Sequence, residues 1–208
     1  MNFLGRPVRK TNRSSSLHLT FDDGPDKHST PRVLDTLAAT GAKCTFFVIA
    51  ERARQNRDVL ARILREGHTI GNHSLDHSYG VFFKGRKALQ AWIESSEHLL
   101  EDMTGGKTAG FRPPAGVRTP ELAASLEHLR IPLILWNCRF YDTVFDWTRP
   151  RALGRLAKTV GGSIVLLHDR KPEPKLPLFL ETLHDYMNSA RQTGFTLDPL
   201  TRELCERS

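Results

Sequence analysis

Short apolar runs alternate with helical patterns along the whole chain, and this alternation limits the possible folds more than any other feature of the sequence. The runs with the length and composition of β-strands cover residues 16–21, 43–50, 68–72, 109–112, 133–138, 163–168 and 194–200. A β-α rhythm of about seven units predicts a parallel sheet, and closure into a barrel is the simplest way to arrange so many units. A doubly wound open sheet is the architectural alternative.

Two Thr-Pro pairs mark the expected starts of helices. Thr30 would cap a helix whose first turn contains Pro31, and Gly41 would end that helix. Thr119 and Pro120 repeat the same start signal farther along the chain. Both helices fall between strand-like runs, as the β-α rhythm requires.

The 208 residues suit one domain with a sizeable core, and no linker divides them. Residues 1–16 are predicted to be a basic N-terminal extension, and residues 17–208 a single domain. No apolar segment follows the basic start, so we expect no signal peptide and a cytoplasmic protein. If a leader precedes this sequence, the periplasm or the cell envelope is expected instead. No apolar run is long enough for a transmembrane helix.

The formal net charge of +7 favours anionic partners such as cell-wall polymers. The basic residues are spread along the chain, and no basic–aromatic tract indicates binding of nucleic acid. We therefore expect no nucleic-acid partner, and a monomer is the favoured oligomeric state.

Polar side chains with catalytic chemistry follow several of the predicted strands. In a parallel barrel the carboxyl ends of the strands share one face, so residues far apart in sequence meet there. The side chains expected at this face are Asp22, Asp23, His73, His77, Arg112, Asp142 and His168.

His73 and His77 are four residues apart, which on a helical turn places both imidazoles on the same side. With one carboxylate they form a two-histidine, one-carboxylate set that leaves coordination positions open for water and substrate. Adjacent Asp22 and Asp23 point in different directions, so one can bind a metal while the other faces the substrate. The alternative is a polar turn with two surface histidines.

Four segments resemble the signature motifs of one enzyme family. They are Thr-Phe-Asp-Asp-Gly-Pro at 20–25, His-Ser-Leu-Asp-His at 73–77, Arg-Pro-Pro-Ala-Gly at 112–116 and Leu-Leu-His-Asp at 166–169. In this order and spacing they resemble the polysaccharide deacetylases, the family 4 carbohydrate esterases with a NodB-like domain. The resemblance implies an α/β fold, a distorted (β/α)7 barrel of the polysaccharide deacetylase type.

The resemblance also implies roles for the matching residues. Asp23, His73 and His77 would bind a divalent metal, with Zn2+ expected first and Co2+, Ni2+ or Mn2+ also suited. Asp22 would act as the general base, and Arg112 would orient it and hold its charge.

The general acid implied by the resemblance is His168. An aspartate would support it, but the fourth motif departs from the family pattern, which has two residues between its aspartates. Here three residues separate Asp142 from Asp146. Asp142 is the first choice for the supporting residue, and Asp146 the second.

Substrate contacts are implied for Pro114, Ala115, Gly116, Leu166 and Trp147. Leu166 would line the pocket for the acetyl methyl group. Many relatives have an aromatic residue where this chain has Ala115, so sugar stacking would be lost there. The backbone N–H of Ala115 could still stabilise an oxyanion.

The implied function is metal-dependent removal of N-acetyl groups from N-acetylglucosamine-type residues of a glycan, with peptidoglycan ranked before chitin-like oligosaccharide. One alternative is a catalytically inactive glycan-binding protein, which the altered fourth motif and Ala115 favour. Another is a non-haem iron oxygenase, because the same ligand set also serves iron. Such oxygenases generally use antiparallel jelly-roll scaffolds, and the β-α rhythm argues against that.

Overall fold

The computed structural model describes residues 6–208. Their β-strands are β1 (Ser16–Asp22), β2 (Thr45–Val48), β3 (Thr69–Asn72), β4 (Cys138–Arg139), β5 (Ile164–His168) and β6 (Thr196–Leu197). Their α-helices are α1 (Ser29–Thr40), α2 (Ala50–Gln55), α3 (Arg57–Arg65), α4 (Arg86–Thr104), α5 (Pro120–Leu129), α6 (Arg149–Leu156), α7 (Leu176–Gln192) and α8 (Arg202–Glu206). In this part of the chain, none of the helices has the length and apolarity needed to cross a lipid bilayer.

The strands form a parallel sheet in the order β3-β2-β1-β5-β4, and β6 pairs with β1 outside this path. Single-residue bridges extend the pairing from Asn72 at the end of β3 to Phe111, and from Phe111 to Leu133. The chain then runs from Leu133 into β4, which pairs with β5. The pairing therefore follows a closed ring, and the predicted α/β fold with a parallel sheet is confirmed.

Three of the predicted strands are reduced to isolated bridges or a two-residue strand, and the run 43–50 keeps only the four residues of β2. The run 109–112 is bridged only at Phe111, although the N–H groups of Ala109 and Arg112 also donate to the backbone of β3. The run 133–138 forms isolated bridges before it reaches the two residues of β4. The run 194–200 forms a strand only over β6, and Pro199 inside the run has no N–H to donate.

β1 is buried along its whole length and separates two environments. Leu19 and Phe21 belong to the main hydrophobic core, together with residues of α1 and α7. Thr20 and Asp22 alternate with them and therefore face the opposite side. The guanidinium of Arg112 donates to both of these side chains inside the ring. The barrel thus has a polar, hydrogen-bonded interior that leads to the carboxyl end of β1.

Two of the three predicted helix boundaries are confirmed. Thr119 caps α5 through its side chain, and Gly41 ends α1 with a left-handed φ of 65°. The prediction that Thr30 caps α1 is wrong, because the helix begins at Ser29. The carboxylate of Asp26 accepts the Ser29 N–H at 2.8 Å. The Thr30 hydroxyl donates instead to a buried carboxylate that follows β5.

The chain before β1 contacts the ring. The Val8 N–H donates to the Leu133 carbonyl at 2.8 Å, and the Val8 carbonyl accepts from the Leu135 N–H at 2.8 Å. Part of the predicted N-terminal extension is therefore hydrogen-bonded to the barrel. Residues 1–5 of that extension lie outside the described residues.

Candidate metal and catalytic site

Three potential metal ligands converge at the carboxyl ends of β1 and β3. One carboxylate oxygen of Asp23, Oδ1, lies 3.4 Å from Nε2 of His73 and 3.2 Å from Nε2 of His77. The three ligand atoms all lie within 4.8 Å of one another. One carboxylate and two imidazoles are donors that suit Zn2+ and related divalent ions, and three protein ligands leave positions open. The residues therefore fit the metal that the sequence predicted.

The loop that carries the two histidines is not helical, so the predicted helical turn is wrong. Ser74 has a φ of 82° and His77 a φ of 66°, both in the left-handed region. The Asn72 side-chain oxygen accepts the Ser74 N–H at 2.8 Å, and the Ser74 hydroxyl accepts the His77 N–H at 3.0 Å. These local bonds compete with helix formation and fold the loop back, so that the rings of His73 and His77 lie 5.2 Å apart.

A buried polar network supports this loop. The Asn72 amide nitrogen donates to the carboxylate of Glu97 at 2.8 Å and to the Ser96 hydroxyl at 2.9 Å. Nδ1 of His73 lies 2.8 Å from the Arg112 carbonyl. Since a carbonyl only accepts, Nδ1 must hold a proton, and Nε2 is the nitrogen that faces Asp23 and could bind a metal. Sequence reasoning missed Asn72 and Glu97, because neither residue type stands out in a polar loop or a helix.

The carboxylate of Asp23 is held in its charged form. Burial raises the pKa of Asp23, but hydrogen bonds from His73 and His77 outweigh burial and lower the pKa overall. The Asp23 backbone has a φ of 78°, which turns its side chain away from that of Asp22. Its carbonyl accepts a hydrogen bond from Arg52 at 2.5 Å, which fixes this conformation from outside the ring.

Asp22 lies beside the metal ligands but is fixed by a different partner. Its Oδ1 accepts a hydrogen bond from Nη1 of Arg112 at 2.7 Å, and its Oδ2 lies 3.9 Å from Nε2 of His73. Arg112 is fully buried, packs over the Phe47 ring at 3.8 Å and also donates to the Thr20 hydroxyl at 2.7 Å. The guanidinium therefore occupies one oxygen of Asp22 and leaves the other turned towards the candidate metal centre.

His168 ends β5 directly beside Asp22, with which it is in register. Nδ1 of His168 lies 2.9 Å from Oδ1 of Asp142, and its backbone N–H donates to Oδ2 of Asp142 at 3.0 Å. Asp146 is exposed and pairs with Lys175 at 3.3 Å. Of the two candidate aspartates, the structure brings Asp142 to His168 and leaves Asp146 at the surface.

Lys171 completes this cluster, and sequence reasoning missed it. Its Nζ donates to Oδ2 of Asp142 at 2.5 Å and to the Asp142 carbonyl at 2.8 Å. The ammonium lies over the Phe179 ring at 4.6 Å and is almost fully buried. One buried carboxylate thus bridges an imidazole and an ammonium group. A lysine three residues after His168 belongs to no motif or periodic pattern from which the sequence could have identified it.

The charges in this cluster favour a protonated imidazole. Burial lowers the pKa of His168, but the hydrogen bond and the charge of Asp142 outweigh burial and raise the pKa. Burial raises the pKa of Asp142, but the hydrogen bond and charge of His168 and the charge of Lys171 lower it overall. Because Nδ1 is engaged by Asp142, Nε2 is the nitrogen of His168 that remains for a substrate.

The predicted substrate-contacting residues have different surroundings. Pro114 is buried, whereas Ala115 is exposed with a left-handed φ of 53°. A Cβ on Gly116 would lie 2.7 Å from the ring of Trp136, so a larger residue would collide there. Leu166 is buried on β5, two residues before the histidine and therefore on the same face of the strand.

Trp147 is not at the mouth of the barrel, and its predicted contact with substrate needs correction. The side chain is 3% exposed and packs against the rings of Phe140, Phe179 and Tyr186 at centroid distances of 5.0, 5.4 and 5.7 Å. Burial of the indole against these rings stabilises the fold more than exposure at the surface would. No ring face is left for a sugar.

Asp169 is a further buried carboxylate, and it lies beneath the turn that follows Asp23. It is fully buried, and the Thr30 hydroxyl donates to its Oδ2 at 2.5 Å. Burial raises the pKa of Asp169 to about 7. A Cβ at Gly24 would lie 2.2 Å from Oδ2 of Asp169. The first motif therefore needs glycine at this position so that its turn can rest on the carboxylate.

We expect Gly24→Ala to lower the free energy of unfolding by about 1–3 kcal/mol, because the added methyl group has no room beside Asp169. The matched control is Gly106→Ala, since a Cβ at Gly106 meets no atom within 4 Å. That variant should change the free energy of unfolding by about 0.5 kcal/mol or less. Urea unfolding of both variants measures the difference. Equal stabilities would contradict the close contact.

Comparison with known proteins identifies the family. The family model for polysaccharide deacetylases matches residues 9–134, more than half of the chain. A peptidoglycan-N-acetylglucosamine deacetylase of Listeria monocytogenes is 37% identical over 78% of this chain, which spans only 34% of the length of that protein. A chitooligosaccharide deacetylase of Azorhizobium caulinodans is 28% identical and matches over 96% of this chain and 100% of its own.

The fold similarity extends over nearly the whole chain. A peptidoglycan N-acetylglucosamine deacetylase, crystallised with a substituted N-oxidanyl-benzamide, matches with a TM-score of 0.85 and 25% identity. The match covers 96% of this chain and 92% of that one. The resemblance drawn from the four motifs is confirmed, and the chain belongs to the polysaccharide deacetylase family.

Proposed function

We propose that this protein is a metal-dependent deacetylase that removes N-acetyl groups from N-acetylglucosamine-type residues of a glycan. The observation that carries the proposal is the shared location of three groups of side chains at one end of the barrel. These groups are the candidate metal ligands Asp23, His73 and His77, the clamped carboxylate of Asp22, and the imidazole of His168 on the neighbouring strand. A nucleophile, a base and an acid can all be supplied within this arrangement.

Asp23, His73 and His77 would hold the metal, with Zn2+ as the first choice and Co2+, Ni2+ or Mn2+ as substitutes. A bound divalent ion would supply Lewis acidity, which lowers the pKa of a water molecule and polarises an acetyl carbonyl. Asn72 and the Arg112 carbonyl would keep the two imidazoles in position, because they fix the loop and the His73 tautomer.

Asp22 would act as the general base. Oδ2 is the oxygen that Arg112 leaves available, and it lies on the side of His73. As water adds to the acetyl carbonyl carbon, this oxygen accepts the proton that the water loses. The hydrogen bond from Arg112 to Oδ1 fixes the carboxylate and keeps Oδ2 aimed at the reacting water.

His168 would act as the general acid. The bond between the carbonyl carbon and the sugar nitrogen breaks as Nε2 donates its proton to that nitrogen. The products are acetate and a free amine. Asp142 supports this role because it raises the pKa of His168 and orients the ring, and Lys171 fixes the Asp142 carboxylate from the other side.

The remaining contacts concern the acetyl group. The Ala115 backbone N–H would donate to the oxyanion that forms when water adds, since oriented backbone amides stabilise such charge well. Leu166 shares the interior face of β5 with His168 and would pack against the acetyl methyl group. Ala115 offers no ring to a sugar, so binding of the glycan would depend on other surfaces.

We rank peptidoglycan first and chitin-like oligosaccharide second as substrates. The Listeria relative is a peptidoglycan deacetylase and the Azorhizobium relative a chitooligosaccharide deacetylase. The net charge of +7 favours the anionic cell-wall polymer over the neutral oligosaccharide.

Acetate release tests the function directly. Zinc-loaded protein should release acetate from peptidoglycan fragments or chitooligosaccharides, and a chelator should abolish the release. Added Zn2+ should restore it, because the three ligands are fixed by the fold. Acetate release that is equally fast with and without chelator would contradict the metal dependence. No release from any N-acetylated glycan would contradict the proposed function.

The second candidate is a glycan-binding protein without catalytic activity. The exposed Ala115 without an aromatic ring and the altered spacing of the fourth motif favour it. However, the altered spacing does not separate Asp142 from His168, which weakens this alternative. Binding of a chitooligosaccharide without acetate release by metal-loaded protein would support it. An iron oxygenase is disfavoured, because the observed fold is a parallel α/β barrel.

A further inference from the structure

A groove leads away from the candidate metal centre on the side of Asp23. Its first part, about 480 Å³, is lined by Asp23, Asp26, His28, Arg170 and Glu173, together with Lys171 and Pro172. A second part of about 380 Å³ follows. The two parts share Asp26 and Arg170, so they adjoin at these residues. A glycan whose acetamido group reaches the metal ligands has room to extend its neighbouring sugar along this groove.

The second part of the groove, which we call the cation cleft, is lined by Lys27, Arg52, Arg170 and three uncharged residues besides Asp26. Lys27 and Arg170 are exposed, and Arg52 is half-buried. Among residues 6–208, none of these three cations forms an ion pair with a carboxylate. Their positive charge is therefore available to a ligand.

Asp26 is the one carboxylate in the lining of the cleft, against three cations. Oδ1 of Asp26 accepts three hydrogen bonds at the start of α1, from the His28 N–H and from the N–H and hydroxyl of Ser29. This carboxylate is thus tied to the helix. Three cations and one carboxylate in its lining leave the cleft with an excess of positive charge.

We propose that the cation cleft binds a carboxylate on the sugar next to the N-acetylated one, so that the preferred substrate is an acidic glycan. The carboxylate could belong to a lactyl ether or to a uronic acid. Arg170 borders both parts of the groove and would contact the carboxylate first, with Lys27 beside it. Arg52 also fixes the Asp23 carbonyl, so it joins the cleft to the candidate metal centre. This inference rests on the proposed deacetylase function, which places the N-acetylated sugar at the metal ligands and its neighbour in the cleft.

The test compares one N-acetylated, carboxylate-bearing oligosaccharide with its methyl ester, which has the same shape but no charge. For the wild-type protein, kcat/KM should be about fivefold to tenfold higher for the acid, since a charge-assisted hydrogen bond is partly screened by solvent here. High salt should reduce this ratio towards one. In the double variant Lys27→Gln/Arg170→Gln the ratio of acid to ester should also fall to about one.

Lys158→Gln is the matched control. Lys158 is exposed and precedes β5, so it lies towards the opposite end of the barrel, and its loss should leave the acid-to-ester ratio unchanged. An equal fall of the ratio in this variant would show a general charge effect and would overturn the proposal. A wild-type ratio of one would overturn it as well.

Equilibrium binding to metal-free protein separates this proposal from the proposed function. Calorimetry with the same acid and ester should show tighter binding of the acid, and the double variant should lose this preference. If the wild type prefers the acid in binding but releases no acetate, the cleft stands and the deacetylase function fails. If acetate is released but acid and ester bind and react equally well, the function stands and the cleft proposal fails.

Discussion

Asp22→Asn is expected to lower kcat for acetate release by about 10²–10⁴-fold while the protein still binds one metal ion. Asparagine keeps an oxygen that can accept the hydrogen bond from Arg112, so the buried guanidinium stays partnered. An amide oxygen, however, cannot take up the proton that the attacking water loses. The metal ligands Asp23, His73 and His77 remain intact in this variant. Zinc titration beside an acetate assay measures both effects.

Asp146→Asn is the matched control for this experiment. Among residues 6–208, the exposed carboxylate of Asp146 pairs with Lys175 alone, so its loss should leave kcat within about twofold of the wild type. Near-wild-type turnover by Asp22→Asn would show that another group serves as the base. Loss of zinc together with activity would show that Asp22 is a ligand.

His168→Ala should cause a comparable loss of activity on N-acetyl glycans, again without loss of metal. The loss should depend on the leaving group, because a sugar amine leaves only with a proton whereas a nitrophenolate does not need one. On an activated acetyl ester, His168→Ala should therefore retain much more of the wild-type rate. An equal loss on both substrates would contradict the role of His168 as general acid and would indicate a general defect of the site.

The pH dependence distinguishes the contributions of the two aspartates. A general acid must be protonated, so the rate falls as the pH rises through the pKa of His168. Asp142 raises this pKa, and Asp142→Asn should move the fall in rate to lower pH. Asp146→Asn should leave the pH profile unchanged. A circular dichroism spectrum should accompany the Asp142 variant, because the buried Lys171 loses its countercharge.

The sequence predicts most of this site because its chemistry is concentrated at the ends of strands. A parallel barrel requires residues as distant as Asp22, His73 and His168 to share one face, and the structure brings them together there. The four motifs fix the identity of the family. The choice of Asp142 over Asp146 was open in the sequence, because spacing alone does not say which carboxylate a loop buries.

Other features were beyond sequence reasoning. Side chains that act through hydrogen bonds to a neighbour, such as Asn72 and Lys171, carry no periodic or compositional signal. The left-handed backbone at Ser74 replaced the expected helical turn, since local bonds from side chain to backbone decided the loop conformation. Trp147 was expected at the substrate but is buried. Whether an indole is stabilised in the core depends on neighbours that are remote in sequence.

The segment after β5 serves two purposes, and this matters for anyone who wishes to alter specificity by loop grafting. Arg170 forms a wall of the groove, whereas the adjacent Lys171 anchors the partner of the acid, Asp142. A segment transplanted from a relative would therefore replace a recognition element and a buried counterion in a single step. Engineering of this loop should therefore keep Lys171 and exchange only its outward-facing neighbours. Otherwise the new substrate preference would be gained together with a displaced His168, the proton donor.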